Sequence, residues 1–363
     1  MPALTLLSWN IRTLGPSKVG EFEADDRGRF VPYTGRRPRP PQMSALLRTI
    51  GENVEMLGAD IVSVLEVCGS TAAGFRKLFL RAVKKTTFVN WTVQLVPSNK
   101  NDVYFIAYRR GRGFDVLRDS NGQVVKGLTH KDIDGNDLNF ASSTVGRGGR
   151  WPGYVAFRTT AGTIFTVICY HACKGGNNQD NGIINIANVA PVRQIVVDGV
   201  DTPVPVSVVS GDFNVNYLTS PAAYTNVTNA AQGWAATPAV PFASGDNAKT
   251  SLVRDNPAAA APTSLTFRVN AYDNIFAHNS ALSEGQVQDT INEFVNPVGG
   301  GGGLSSLQQC AGRFDINTLN ARLAIRPQFG KVTTNPPTNV TDAWRIYYRI
   351  VSDHLPVYAT FDV

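Results

Sequence analysis

The stretch Val206-Ser207-Val208-Val209-Ser210-Gly211-Asp212-Phe213-Asn214 is an apolar, β-rich run that ends on a carboxylate and an amide. Short runs of this kind, bounded by Gly, Pro and Asn, are typical of buried strands. A charged group at the end of a buried strand costs free energy unless it binds a metal or a partner. The stretch therefore predicts a buried strand that carries functional side chains at its end.

Five more runs end in the same way, on Asn10, Glu66, His171, Asp273 and the pair Asp353-His354. Together the six endings supply four carboxylates, two amides and two imidazoles, the groups that a metal-assisted hydrolytic site needs. Because they are spread from position 10 to position 354, they must converge from the whole length of the chain. We therefore expect one domain over residues 1–363 rather than two.

The composition is that of a folded enzyme with a preference for anionic partners. A hydrophobic content of 43% is enough for a sizeable core, and no apolar run approaches the roughly 18–20 residues of a membrane span. The net charge of +6 favours a polyanionic partner such as nucleic acid. The first strand begins within four residues of Met1, so no signal peptide is expected. That favours the cytoplasm, or export by a signal-independent route.

The strongest local source of positive charge is the stretch Arg36-Arg37-Pro38-Arg39-Pro40-Pro41, which lies in the connection that follows Asn10. Two interpretations stay open for this stretch, a solvated surface and a nucleic-acid contact that hangs over the site. The later clusters, Lys84-Lys85 and Arg109-Arg110 with Arg112, are better explained as solvated surface.

Between the six endings the pattern is α/β. Apolar residues at helical spacing predict a helix over residues 42–57, and a second helix is expected at about 191–198. Residues 112–150 are polar and glycine-rich, which indicates a hairpin and a long loop. Five glycines at 299–303 are typical of a flexible linker, and a further helix is expected near residues 304–323.

The four cysteines do not have zinc-site spacing. Cys68 lies two residues after Glu66, and Cys173 lies two residues after His171. Period-two geometry would place each cysteine on the same side of its strand as the neighbouring site residue. Free thiols are the expected state, and a disulfide between Cys68 and Cys173 beside the site is the alternative.

Six motifs together resemble the endonuclease/exonuclease/phosphatase superfamily, and within it the deoxyribonuclease I branch. The motifs are Ser-Trp-Asn at 8–10, Leu-Glu-Val at 65–67, Tyr-His-Ala at 170–172, Ser-Gly-Asp-Phe-Asn at 210–214, Tyr-Asp-Asn-Ile at 272–275 and Ser-Asp-His-Leu-Pro-Val at 352–357. They occur in the family's order. The resemblance implies an α/β (α+β) sandwich of two packed mixed β-sheets flanked by helices. It also implies a phosphoester substrate and a divalent metal, usually Mg²⁺, with Mn²⁺ as a substitute.

The carboxylates and amides fit distinct roles in such a site. Magnesium takes hard oxygen ligands and keeps several waters, so one or two carboxylates suffice. We expect Glu66 to be the main metal ligand, helped by Asn10 and joined by Asp353. Asp212 would orient or deprotonate the attacking water, and Asn214 would hold a phosphate oxygen. In an extended segment these last two side chains would face the same way.

The imidazoles complete the expected site. His354 would stabilise the charged transition state, with Asp273 holding its ring and favouring its cationic form. His171 would contact the phosphate or protonate the leaving oxygen. The resemblance adds Asp102 as the partner of His171, where the branch has a glutamate. It also adds Arg150 as a contact to the nucleic-acid backbone.

Two departures from the deoxyribonuclease I branch concern the grip on the minor groove. Where the branch has an arginine after the metal glutamate, this chain has Cys68, and Lys100 replaces a tyrosine. We count Lys100 with Arg150 and the arginine-proline stretch as substrate-binding residues. Insertions at about 11–41 and 279–345 are this chain's own and would set substrate choice.

The sequence thus favours a magnesium-dependent nuclease that acts on DNA with little sequence preference. The alternative within the superfamily is a lipid or inositol phosphodiesterase or phosphatase. A nucleic-acid-binding module with a dead site is disfavoured, because every central catalytic position is filled.

Overall fold

The structure is a computed structural model of the chain. It describes residues 3–14, 22–24, 30–32, 41–69, 72–98, 102–140, 150–173, 178–234, 245–253, 261–295, 306–314, 316, 320 and 330–363.

The described strands and helices alternate along the chain. The strands are β1 (Ala3–Leu14), β2 (Phe22–Ala24), β3 (Phe30–Pro32), β4 (Ile61–Cys68), β5 (Trp91–Pro97), β6 (Asp102–Arg109), β7 (Phe114–Val116), β8 (Lys126–Leu128), β9 (Gly153–Thr159), β10 (Ile164–His171), β11 (Gln194–Val197), β12 (Val200–Pro203), β13 (Val206–Asp212), β14 (Asp273–His278), β15 (Leu282–Val287) and β16 (Val357–Asp362). The α-helices are α1 (Pro41–Met56), α2 (Ala72–Thr87), α3 (Asn178–Ile186), α4 (Thr290–Glu293), α5 (Ser306–Ala311) and α6 (Val340–Ile346).

Two mixed sheets form the centre of the fold. The first has the order β15-β16-β1-β4-β6-β5, and the second has the order β14-β13-β10-β9-β7, with β8 paired to β9. Leu6 and Leu65 of the first sheet pack with Val167 and Val208 of the second in one buried cluster. The α/β sandwich expected from the sequence is therefore confirmed.

Helices cover the outer faces of the sandwich. Residues of α1 and α2 are buried together with the outer side of the first sheet. The two helices approach closely at Gly51, where an added Cβ would lie 2.8 Å from Thr86 Oγ1. The second sheet is covered by α3 and by the 3-10 helix Pro221–Val227.

Strand direction explains why distant residues meet at one edge of the sandwich. β1 and β4 are parallel, as are β10 and β13, and all four end at this edge. The antiparallel partners β6, β9, β14 and β16 therefore begin there. Site residues lie at the ends of the first set and at the beginnings of the second.

The helix expected over 42–57 is confirmed as α1, and the segment 112–140 forms the expected hairpins and loop. The prediction of a helix at about 191–198 is wrong. A short 3-10 helix at Ala190–Val192 is followed there by the β11–β12 hairpin. Asp198 and Gly199, with φ of 54° and 77°, form its turn. Asp-Gly between β-branched residues is a strong hairpin signal, and it outweighed the helical spacing.

Four of the six expected strand endings differ in the structure. Asn10 and Glu66 lie inside β1 and β4, a few residues before those strands end. Asp273 is the first residue of β14 rather than the residue after a strand. The run before Asp353 is helical, because α6 continues through a wider turn at Tyr347–Val351. The N-cap of this helix is Asn339, whose side chain accepts a hydrogen bond from the backbone N–H of Asp342 at 2.9 Å. Caps of this kind stabilise the start of a helix.

The region around 279–345 contains several described elements. β15 forms an edge of the first sheet, followed by α4. Of the helix expected near 304–323, the structure has α5, and most of the remaining range lies outside the described residues. No helix among the described residues is long and apolar enough to cross a membrane.

Gly211 is required by the close pairing of β13 with β10. A Cβ added at this position would lie 1.8 Å from the carbonyl oxygen of Tyr170. We expect Gly211→Ala to lower the free energy of unfolding by about 3 kcal/mol, the upper end for overpacking, as measured by denaturant titration. Gly127→Ala is the matched control, because its Cβ would make an ordinary contact of 3.7 Å with Tyr154. Equal stability of the two variants would contradict this account.

Candidate active site

One carboxylate oxygen, Oδ2 of Asp212, is the point at which the site converges. Asn10 Nδ2 donates a hydrogen bond to it at 2.8 Å. His171 Nε2 lies 3.9 Å away and His354 Nε2 lies 3.8 Å away. Asp212 itself is only 2% exposed. An amide and two imidazoles from three parts of the chain therefore surround one buried carboxylate.

Strand register sets this arrangement. Asp212 is paired with His171 across the parallel β10–β13 ladder. On its other side it is paired with Asp273 across the antiparallel β13–β14 ladder. Neighbouring strands lie about 4.8 Å apart, so three titratable residues stand side by side in one row.

Glu66 enters the site through a bulge in β4. The register with β6 shifts between Val64 and Val67, and Glu66 has a left-handed φ of 59°. Its Oε1 accepts a hydrogen bond from Asn10 Nδ2 at 3.1 Å and lies 3.4 Å from His171 Nε2. A bulge re-aims a side chain at the end of a ladder, which here brings the carboxylate towards the second sheet.

The bulge affects the expectation for the cysteines. Period two does not hold through Glu66, so its spacing from Cys68 does not place the two side chains on one face. Cys68 and Cys173 are of intermediate exposure, Cys169 and Cys310 are buried, and none of the four forms a disulfide. The expected thiol state is confirmed, and the alternative disulfide between Cys68 and Cys173 is not formed.

His354 is held in a buried network with Asp273. The distance from His354 Nδ1 to Asp273 Oδ2 is 2.6 Å. Thr250 Oγ1 donates to the same carboxylate oxygen at 2.7 Å. Burial alone would lower the pKa of His354, but the charges of Asp273 and Asp212 outweigh it and raise this pKa to about 10. The imidazole is therefore a cation at neutral pH.

Backbone contacts fix the segment that carries His354. Ser352 Oγ donates to the carbonyl oxygen of Asn10 at 2.5 Å and accepts a hydrogen bond from the N–H of His354 at 3.0 Å. Trp9 Nε1 donates to the carbonyl oxygen of His354 at 3.2 Å. The adjacent Asp353 is half-buried, and its charge also raises the pKa of His354.

His171 has a second carboxylate on its other ring nitrogen. Asp102, the first residue of β6, places Oδ2 3.7 Å from His171 Nδ1 and 3.5 Å from Arg150 Nε. Burial raises the pKa of Asp102, but His171, a hydrogen bond from Ser98 and the charge of Arg150 outweigh it and lower this pKa to about 2. Asp102 is therefore ionised, and its carboxylate faces the Nδ1 side of the His171 ring without forming a hydrogen bond to it.

Asn214 reaches the site by a path that the sequence did not predict. β13 ends at Asp212, and Asn214 has a left-handed φ of 53° rather than an extended one. Its backbone N–H donates to Asp212 Oδ1 at 2.9 Å, and its Nδ2 donates to the carbonyl oxygen of Ala172 at 2.9 Å. The extended geometry expected for this pair is therefore wrong, although the two residues are in contact.

Two overlapping groups in this site could hold a metal ion. Glu66, His171 and Asp212 form one, and Asp212, Asp273 and His354 form the other, with potential ligand atoms within 4.8 Å of one another. The donor set fits a divalent cation, because carboxylates outnumber the arginine and histidine cations among the described site residues. Arg36, Arg37, Arg39 and Lys100 lie outside the described residues.

Solved structures with a similar fold cover nearly the whole chain. An endonuclease/exonuclease/phosphatase family protein from Bacteroides thetaiotaomicron has a TM-score of 0.50 and 13% identity, with 100% of both chains covered. A mannosyl-6-phosphatase from the same organism has a TM-score of 0.49 and 12% identity, covering 99% of this chain and 100% of its own. TDP2 from D. rerio, complexed with single-strand DNA product, has a TM-score of 0.46 and 10% identity, with 99% of both chains covered.

This chain has the endonuclease/exonuclease/phosphatase fold. The resemblance to that superfamily, seen first in the motifs, is confirmed at the level of the fold. No protein-family model and no curated protein sequence matches the chain.

Sequence reasoning missed two residues that support the site in this fold. Thr250 hydrogen-bonds Asp273, and Ser98 Oγ donates to Asp102 Oδ1 at 2.5 Å. Both are single hydroxyl residues in loops, and neither follows a strand that ends on another polar residue. No local sequence signal distinguishes them from ordinary loop residues.

Thr250 provides a test of the buried network. Besides its bond to Asp273, its hydroxyl oxygen accepts hydrogen bonds from the N–H groups of Asp273 and Tyr272 at 3.1 and 3.2 Å. Thr250→Val keeps the shape and leaves these groups unsatisfied, so the free energy of unfolding should fall by about 1–3 kcal/mol. Thr250→Ser keeps the hydroxyl and is the control. Denaturant titration in which the serine variant is the less stable would contradict this role.

Proposed function

We propose that this protein is a metal-dependent phosphodiesterase, and that its substrate is a nucleic acid, with DNA favoured. The observation that carries the proposal is the convergence of Asn10, His171 and His354 on Asp212 Oδ2. A phosphate beside this oxygen would meet a base for an attacking water and two imidazoles for its own oxygens. Hydrolysis of a phosphoester requires these three functions.

A divalent metal, with Mg²⁺ favoured, would be held by Glu66 and Asn10, with Asp353 joining. When bound, it would neutralise charge on the phosphate. One observation supports this placement. The carboxylates of Glu66 and Asp212 share the Asn10 amide as a hydrogen-bond donor, and their oxygens lie within 4.8 Å of each other. A divalent cation would relieve the repulsion between these two carboxylates.

The side chains of this chain would divide the remaining chemistry. Asp212 would orient and deprotonate the attacking water, because its second oxygen is already fixed by the N–H of Asn214. His354 is cationic and would stabilise the negative charge of the pentacovalent transition state. His171 would protonate the leaving oxygen, oriented by ionised Asp102.

A polymeric substrate is supported by charge. Arg150 lies at the mouth of the site, with Nη1 3.3 Å from His171 Nε2 and about a quarter of its side chain exposed. An arginine there can contact a phosphate next to the one that is cleaved. The whole chain carries a net charge of +6, which favours a polyanion over a neutral lipid surface.

The metal can be tested by binding and by turnover. We expect chelation to abolish plasmid cleavage, and added Mg²⁺ or Mn²⁺ to restore it. Glu66→Gln should weaken metal binding in calorimetry and remove most turnover. Asp201→Asn is the control, because it removes an exposed carboxylate from β12, outside the site. Cleavage that survives exhaustive chelation would rule the mechanism out.

The two imidazoles should act on one transition state. His171→Ala and His354→Ala should each lower turnover by roughly 10²–10⁴, the range of general acid–base contributions. The double variant should lose less than the product of the two factors. His278→Ala is a matched control, since His278 is buried and contacts the carbonyl oxygen of Gln232 instead. A normal rate for His171→Ala would make that residue structural.

Incubation with a panel of substrates tests which class of phosphoester the protein hydrolyses. Wild type and Asp212→Asn would be incubated with plasmid DNA, single-stranded DNA, RNA, sphingomyelin and an inositol polyphosphate. We expect plasmid nicking that disappears in Asp212→Asn. If only sphingomyelin or the inositol polyphosphate is consumed, the protein is a lipid or inositol phosphodiesterase or phosphatase instead. Arg150→Ala should weaken polymer cleavage far more than hydrolysis of a small phosphodiester.

A further inference from the structure

A groove on the outer helical layer has the character of a second binding site. It lies between α1 and the second half of α2 and has a volume of about 530 Å³. Its lining includes the apolar side chains of Leu47, Leu78 and Ala82. Pockets of roughly 300–1,000 Å³ with an apolar floor and a few convergent polar groups are typical of small-ligand sites.

The polar groups of the groove are mainly cations. Arg48, Arg81, Lys85 and Arg313 line it, and Glu52 is the single acidic residue among its lining residues. Glu52 pairs with Arg48, at 3.3 Å between Oε1 and Nε. The other three cations, Arg81, Lys85 and Arg313, form no ion pair with any residue that the structure describes. The groove therefore presents uncompensated positive charge.

The helix itself contributes to this imbalance. The α2 sequence contains five basic residues and no acidic residue. Arg81 and Lys85 are four positions apart, so they share one face of the helix, where like charges destabilise it. A ligand with negative charge would relieve this repulsion. The Lys84-Lys85 cluster, interpreted from the sequence as solvated surface, thus has one member in the groove.

An aromatic side chain stands at the rim. Phe88 follows the last residue of α2, lines the groove and is 87% exposed. Its φ of 56° is left-handed, a conformation in which helices commonly end on glycine. A bulky residue there is a backbone outlier. A large apolar ring is thus held in water at a position where glycine would be less strained.

We infer that this groove binds a nucleotide, with its phosphate on Arg81, Lys85 and Arg313 and its base stacked on Phe88. Cations that contact phosphates, next to an aromatic ring that stacks on a base, are the two parts of a sequence-independent site for single-stranded nucleic acid. The ligand is either one unit of such a strand or a free mononucleotide. The inference goes beyond the proposed function, since it concerns a separate surface.

Binding is measured on the Asp212→Asn background in a chelator, so no turnover takes place. The probe is a fluorescently labelled oligothymidylate, followed by anisotropy over a series of salt concentrations. Arg81→Ala with Lys85→Ala should weaken binding at least tenfold. It should also flatten the slope of log affinity against log salt by about 1.4, since single strands give about 0.7 per charge. Lys77→Ala with Lys84→Ala removes two charges from the same helix outside the groove lining and is the matched control.

Phe88 separates binding from folding. Phe88→Gly relieves the left-handed backbone, so unfolding should require at least as much denaturant as before. Binding should nevertheless weaken by roughly fivefold to 150-fold, as expected when one stacked base is lost. Phe88→Trp should keep the affinity. Unchanged binding in Phe88→Gly, or an equal loss in the Lys77 and Lys84 control, would overturn the inference.

Competitors identify the ligand. If thymidine monophosphate displaces the labelled oligomer, the groove is a mononucleotide site. If only unlabelled oligomer displaces it, the groove is a site for a strand. Both outcomes support the inference. Thymidine and inorganic phosphate should each compete far more weakly, because each lacks one half of the contacts. Polyglutamate that competes as well as the oligomer would overturn the inference in favour of an acidic peptide. The readout is independent of hydrolysis, so failure of the proposed phosphodiesterase activity leaves it interpretable.

Discussion

The site depends on the register of the ladders on both sides of β13. Pairing with β10 and β14 places His171 and Asp273 directly beside Asp212. A slip of one residue in either ladder would turn the side chains of that strand to the opposite face. The pairing is enforced by the apolar residues between the two sheets, such as Val208 and Ile275, which are fully buried. The core of the sandwich therefore fixes the site geometry.

The same register brings together charges that repel one another. Asp212 and its ladder partner Asp273 are only 2% and 3% exposed. The other ladder partner of Asp212, His171, is a third titratable group. Buried charges are tolerated when they are paired and hydrogen-bonded. Cationic His354 and the Asn10 amide supply part of this compensation.

The resemblance of the six motifs implied the sandwich, and the local pattern of apolar runs ending on polar residues predicted which residues meet. It did not predict how Glu66 and Asn214 enter the site, since a bulge and a left-handed residue are consequences of neighbouring strands. The helix before Asp353 was missed because its N-cap at Asn339 lies well upstream of the run. Thr250 was missed because its partner is distant in sequence. The assigned roles of the site residues stay predictions.

The bond from Ser352 to the carbonyl oxygen of Asn10 joins two positions that are 342 residues apart. His354 follows Ser352 directly, and β16 then pairs with β1 inside the first sheet. A growing chain that still lacks these residues cannot form the Asp273–His354 network. Loss or mispairing of β16 would separate His354 from Asp273 but leave the β10–β13 ladder between His171 and Asp212 in place. The two halves of the site therefore depend on different strand pairings.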